Sequence, residues 1–242
     1  MLRSIKALHH YTIEATDGHL GAVYAFYFDD LLWTIRYMVV ETGAWLPGRR
    51  VLISPTSIGQ PQWEMRQLPV HLTQEQIKHS PDMDTDQPVS RQHQIALHDH
   101  YAWPTYWTVS PVGPGMLALP PELVEEYAAE SGDPHLRSTQ EGIDYNIEAK
   151  DGDLGHVEDF IVDDENWTIR YVIVDTRNWL PGKQVLVAPA WITAVDWGEA
   201  KVHVDLTRDE IKHSPEYDPT ETVNRVYEER LYDFYGRPQY WD

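Results

Sequence analysis

The chain has 242 residues, 42% of them hydrophobic and 12% aromatic, enough for one large domain or two small ones and too apolar for a disordered or fibrous chain. Its 19 basic residues against 39 acidic ones leave a formal charge of -20, which repels phosphate backbones and anionic headgroups, so neither direct nucleic-acid binding nor membrane insertion is expected. Cysteine is absent, which excludes disulfides, thiolate zinc sites and a cysteine nucleophile. No run approaches the ~20 apolar residues of a membrane span, and Met1 to Tyr11 lacks the apolar centre of a signal peptide, so a cytoplasmic protein is the expectation.

The first candidate strand, Tyr11 to Ala15, is followed by Asp17-Gly18, a dipeptide favoured in tight hairpins because Gly accepts positive φ. The next strand carries Leu20, Val23, Phe26 and Phe28, with Gly21 at a bulge or close approach. Asp29-Asp30 then reverses the chain into Trp33 to Glu41, WTIRYMVVE, whose aromatic and β-branched residues suit a central strand. The loop Trp45-Leu46-Pro47-Gly48 precedes a short strand, Val51 to Ser54, and Val70 to Leu72 reads as a last one. Short strands at this spacing predict a small antiparallel barrel. Thr73 with Gln76 has capping-box spacing before a short helix ended by Pro81, and Ser90 caps a second helix carrying Leu97 toward Tyr101.

The same series returns 134 residues later. IEATDGHLG from Ile13 recurs as IEAKDGDLG from Ile147, WTIRY from Trp33 as WTIRY from Trp167, Trp45-Leu46-Pro47-Gly48 as Trp179-Leu180-Pro181-Gly182, and IKHSP from Ile77 as IKHSP from Ile211. Residues 1 to 108 align without a gap to 135 to 242, with about 48 identities over those 108 positions, the mark of a tandem duplication. Residues 109 to 134 read as a Pro/Gly-rich linker with a short helix over Glu122 to Glu130. Two similar domains side by side are expected.

The DG turn, the following Gly, the DD hairpin, the aromatic-led I-R-Y strand and the W-L-P-G loop resemble the PRC-barrel family, over about 11 to 72 and again 145 to 206. That family includes the cytoplasmic domain of the photosynthetic reaction-centre H subunit and the C-terminal domain of a bacterial ribosome-maturation factor. The resemblance implies a mainly β fold of two tandem small barrels, 1–108 and 135–242, each with appended short helices, and a bacterial protein that works as a docking module. The IKHSP extension and second helix lie outside the usual barrel.

Candidate chemistry is sparse. Asp29-Asp30 and Asp163-Asp164 suit a divalent cation but read first as solvated hairpin turns, without an EF-hand spacing. His93, His98 and His100 cluster, yet the second copy has Tyr227, Tyr232 and Phe234 there, which keeps ring shape and loses ligand capacity. His79 and His213 sit where a helix end offers carbonyls. Arg36 and Arg170, inside apolar strands, suit an anion-binding or catalytic role but read first as surface-facing or as salt-bridged to a carboxylate of a neighbouring strand. No G-x-S-x-G, H-E-x-x-H, Walker loop or G-x-G-x-x-G is present, so no catalytic, cofactor or metal residue is assigned. The repeated loops supply the candidate partner-binding residues Trp45, Leu46, Trp179 and Leu180, because a loop Trp either plugs its own barrel or anchors a partner. The expected function is a non-enzymatic assembly or adaptor module, related to reaction-centre or other complex assembly, that binds basic proteins or itself as a homodimer. The alternative is a small-molecule or metal-responsive binding protein using the cleft between the barrels.

Overall fold

The computed structural model describes residues 1–81, 89–107, 133, 135–176 and 183–241. The fold is mainly β, and the chain divides into two compact units. One contains Met1–Leu8, Leu32–Thr34 and Thr139–Asp242, the other His9–Leu31 and Ile35–Ser138. The units therefore differ from the two sequence copies: the first eight residues of the first copy belong to the unit built on the second, and Leu136–Ser138 belongs to the unit built on the first.

In the first-copy unit, β2 (Thr12–Ala15) and the long β3 (Gly18–Asp29) form the hairpin turned by Asp17-Gly18. β4 (Thr34–Glu41) follows β3 and pairs with β5 (Arg50–Ile53), while β6 (Gln67–Pro69) runs parallel to β2. The far end of β3 takes β7 (Leu136–Ser138) as an antiparallel partner. The second-copy unit repeats this plan with β8 (Asn146–Ala149), β9 (Gly152–Asp163), β10 (Thr168–Asp175) and β11 (Gln184–Val187). It adds β12 (Ile192–Asp196) and β13 (Lys201–Val204), and β1 (Leu2–Ser4) pairs with residues 161–163 of β9. One edge of each long strand is thus shared between its hairpin partner and a three-residue arm.

The expectation of two closed antiparallel barrels is corrected on two points. The pairing within each unit is mixed, with β2 parallel to β6 and β13 parallel to β8. Among the described residues neither ladder closes: one ends at β12 and β11, the other at β6 and β5. The reason lies after β5 and β11, where Pro55 and Pro189 open 3-10 turns at Pro55–Ser57 and Pro189–Trp191, so the chain leaves the ladder. The last strand falls at Gln67–Pro69, with Val70 in an isolated bridge to Ile58.

The helical parts follow their caps. Thr73 and Thr207 form the capping boxes that start α2 (Gln74–Lys78) and α5 (Arg208–His213). Asp17 and Asp151 of the hairpin turns each accept the first helical N–H, from Gln74 and Arg208, at 2.8 Å. Ser90 and Asn224 cap α3 (Arg91–Tyr101) and α6 (Arg225–Tyr235), which end on residues in the left-handed conformation, Ala102 and Gly236. The two other helices are single turns, α1 (Ile5–Leu8) and α4 (Thr139–Gly142). Of the linker only Asp133 lies among the described residues, so the helix expected over Glu122 to Glu130 falls outside them.

Both cores are aromatic, with Tyr37, Phe26 and Phe28 of the first copy and Tyr171 of the second fully buried. The copies place an indole against the same helical tyrosine from different chain positions. Trp103 stacks on Tyr101 at 4.3 Å between centroids and donates to Ser57 Oγ at 2.6 Å. Ser57 corresponds to Trp191 (57 + 134), which packs on Tyr235 at 4.7 Å, and Trp103 corresponds to Arg237 (103 + 134), which bonds Asp205 at 2.8 Å. Trp33 and Trp167 share a left-handed backbone, with φ of 51° and 58°. Trp167 is buried, whereas Trp33 is half-buried.

Gly21 (φ +148) and Gly155 (φ +134) mark a backbone contact: a Cβ there would stand 1.9 Å from the Glu41 carbonyl oxygen or 2.0 Å from that of Asp175. Gly48 (φ +74) has open space around it. Gly21→Ala and Gly155→Ala are expected to cost about 3 kcal/mol or more, and Gly48→Ala only about 1 to 2 kcal/mol, in urea unfolding; equal costs would contradict the close approach. The indole exchange predicts coupling. Trp103→Ala alone should cost about 3 kcal/mol, and adding Ser57→Trp should restore at least half of it; strict additivity of the two changes would refute the shared slot.

Candidate functional site

The loop carrying Trp45 is held from three sides within its unit. Thr42 Oγ1 donates to the Leu46 and Arg49 carbonyls at 2.6 Å. The Trp45 indole N–H donates to the Leu20 carbonyl, next to the Gly21 contact. Arg49 reaches across to the IKHSP segment, donating to the Lys78 carbonyl at 2.7 Å and to the Ser80 carbonyl. In the second copy Lys183 does the same, donating to the carbonyls of Ile211, Lys212 and Ser214 at 3.0, 2.7 and 2.8 Å. A cation at the end of the W-L-P-G loop therefore neutralises the carbonyl end of the IKHSP helix, which is why the two motifs recur together. His79 and His213 meet carbonyls of Glu75 and Asp209 at 3.0 and 2.9 Å in the same turn.

Anchoring leaves the loop half inward and half outward. Trp45 and Leu46 are half-buried, while Pro47 and Gly48 are exposed. Trp179 and Leu180 lie outside the described residues. The structure thus gives Trp45 an inward hydrogen bond and leaves part of Leu46 and the exposed Pro47 for contact.

The arginines inside the strands are salt-bridged across the hairpin, Arg36 to Asp29 at 3.1 Å and Arg170 to Asp163 at 3.3 Å. Each guanidinium also lies 4.2 Å from the centroid of the C-terminal tyrosine of its copy, Tyr106 or Tyr240. A second arginine at the helix start, Arg91 or Arg225, covers Trp107 or Trp241 at 4.8 and 3.9 Å. The Tyr-Trp endings are clamped onto their own unit in this way. Behind them, Tyr171 and Tyr240 both donate to the buried carboxylate of Glu228, at 2.8 and 2.7 Å. In the first copy Tyr106 donates to Gln94, which donates on to Asp133 at 3.0 Å. Burial pushes the phenols of Tyr37 and Tyr171 far above their ordinary range.

The three clustered histidines point to different partners. His98 is buried at 2.8 Å from the Tyr37 hydroxyl, and burial holds it below the usual imidazole range. His100 meets the Gln76 carbonyl at 2.7 Å, and His93 is exposed. Tyr232 takes the place of His98 and packs on Tyr171, Trp191, Tyr240 and Trp241. The Asp pairs act in turns: Asp29 accepts the Leu31 N–H at 3.0 Å, Asp163 the Glu165 N–H at 3.2 Å, and Asp30 pairs with His135 at 2.9 Å.

Two groupings have no signal in the linear sequence. His156 and Glu158, alternate residues of β9, and Asp175, across the ladder on β10, bring one ligand atom each to within 4.8 Å of one another, a set able to hold a divalent cation. The Lys6 ammonium already contacts Glu158 at 2.6 Å, and the first copy has Ala22, Tyr24 and Glu41 in these places. The second grouping is the arm: the buried Asp159 accepts the Ser4 hydroxyl, the Lys6 N–H at 3.1 Å and the Phe160 N–H at 2.8 Å.

Residues 147–211 match the model of the PRC-barrel domain, so a PRC-barrel domain lies in the second copy. No curated protein matches the chain.

Burial raises the Asp159 carboxyl from its ordinary 3.8 to about 6, partly offset by the bonds from Ser4, Phe160 and Lys6 and by the Lys6 charge. A raised carboxyl takes up a proton on folding, so its contribution is present in full below about pH 4 and falls as pH climbs through about 6. Asp159→Asn should therefore gain on wild type by about 2 to 3 kcal/mol between pH 4 and pH 7 in urea melts. Parallel pH profiles for the two proteins would rule the assignment out.

Proposed function

We propose that this protein is a tandem PRC-barrel assembly module of the bacterial cytoplasm, produced by internal duplication, which binds protein partners and carries out no reaction. The family match in the second copy supports the domain type. The recurrence of β2 to β5 as β8 to β11 at the same offset, with the same turns and caps, supports extending it to the first copy. The formal charge of -20 favours basic partners, which such a surface draws in and orients.

The observation that carries the reading is the anchored W-L-P-G loop. Thr42, Leu20 and Arg49 fix its backbone from three directions while Pro47 and part of Leu46 stay at the surface. A preordered apolar edge binds at small entropic cost. In this reading Trp45 sets its loop, and Leu46 with the following Pro47 meets the partner; Trp179 and Leu180 are their counterparts in the sequence.

A metal-responsive binding protein is the second reading, and the His156, Glu158 and Asp175 set is the observation in its favour. It would place the ion inside one unit, beside the arm, and a melting point raised by zinc or nickel in wild type but not in His156→Ala would promote it.

The adaptor reading is tested by affinity capture from the native cell with wild type and Leu46→Asp side by side. Leu46→Asp should lose the specifically captured proteins with little change in melting. Trp45→Ala should instead cost about 1 to 3 kcal/mol of stability, because a half-buried indole and its hydrogen bond to the Leu20 carbonyl are lost. Identical capture by wild type and Leu46→Asp would sink the loop as the binding edge.

A further inference from the structure

The two copies diverge most plainly at one sheet edge. In the first copy the segment after the Pro55–Ser57 turn reads Ile58-Gly59-Gln60-Pro61-Gln62 and forms only isolated bridges, Ile58 to Val70 and Gln62 to Gln67. In the second copy the same segment is Ile192-Thr193-Ala194-Val195-Asp196, and it is the strand β12. Proline and glycine are the usual means by which an edge is made unfit for pairing. The first segment carries both and the second neither, while β12 has a bulge between Ile192 and Ala194. Among the described residues β12 ends its ladder, pairing with β13 alone, and Thr193, Ala194 and Asp196 are exposed.

We propose that β12 is a self-association edge, which pairs antiparallel with β12 of a second copy of this chain about a two-fold axis at Ala194. Charge selects this occupant. In a chain of formal charge -20, most surface would repel its own copy. This edge carries a single charged residue, Asp196, and that one lies opposite Lys201 in the β12–β13 register. Pairing centred on Ala194 sets Asp196 across from the partner's Ile192, so no like charges meet. It sets Val195 across from the partner's Thr193, which is the extra residue of a bulge between Ile192 and Ala194 in the β12–β13 register. An edge-to-edge pair is isologous and closes after two chains, since each β12 has one open side. A basic partner strand would find little to recognise on so neutral an edge.

The absence of cysteine makes the register readable. Antiparallel partners stand about 4.5 to 5.5 Å apart at Cα, within the span of a disulfide. Full-length wild type is expected to be a dimer by light scattering, and to tighten as salt screens the repulsion between two acidic chains. Ala194→Lys, at an exposed position, should give a monomer with unchanged melting, because two ammonium groups then face each other. On mild oxidation Ala194→Cys should cross-link the dimer efficiently and Asp196→Cys poorly. A wild type that stays monomeric at high salt, a dimer that survives Ala194→Lys, or equal cross-linking from both cysteine variants would overturn the proposal. None of those outcomes touches the loop reading, which is scored on capture by Leu46→Asp.

Discussion

The backbone contact at Gly21 and Gly155 organises each unit. A Cβ there would stand 1.9 or 2.0 Å from the carbonyl of Glu41 or Asp175, so only hydrogen fits between the long strand and the end of its neighbour. That closeness decides where the chain leaves β4 and β10. Thr42 and Thr176 follow at once, both fully buried, and donate to the carbonyls of Arg49 and Lys183 to close the loop. Leu20, adjacent to Gly21, offers its carbonyl to the Trp45 indole, and the loop's cation is brought to the IKHSP helix end. One missing side chain thus sets the position of the surface on which the proposed function rests.

The copies differ where one change is matched by another. The indole against Tyr101 comes from position 103, and that against Tyr235 from position 191, while the vacated positions carry Ser57 and Arg237. His98 and Tyr232 fill one slot with rings of different chemistry, and Gln94 and Glu228 receive the same C-terminal tyrosine. Packing density explains the pairing of such changes, because a close-packed interior tolerates a large side chain only where another has withdrawn.

Much of this was legible in the sequence because the forces involved are local. The Asp17-Gly18 and Asp151-Gly152 turns, the capping boxes at Thr73 and Thr207, and the caps at Ser90 and Asn224 each depend on residues a few positions apart. Gly21 was readable as a close approach since an interior glycine in an apolar strand has few other uses. The open, mixed ladders were not readable: period-two alternation does not distinguish parallel from antiparallel neighbours, and the barrel expectation came from strand spacing and resemblance. The set at His156, Glu158 and Asp175 was hidden because it assembles across two strands. Asp159 was hidden because its partners, Ser4 and Lys6, lie more than 150 residues away.

That separation has a consequence for how the chain is made. The arm Met1–Leu8 is synthesised roughly 160 residues before the strand it pairs with, residues 161–163 of β9. At elongation rates of roughly 5 to 20 residues per second the arm waits about 8 to 30 s for its strand. Ile5 and Leu8, fully buried in the finished unit, remain exposed for that interval. Synthesis rate, and any chaperone that shields a short apolar segment, thereby becomes part of what this protein needs in order to fold.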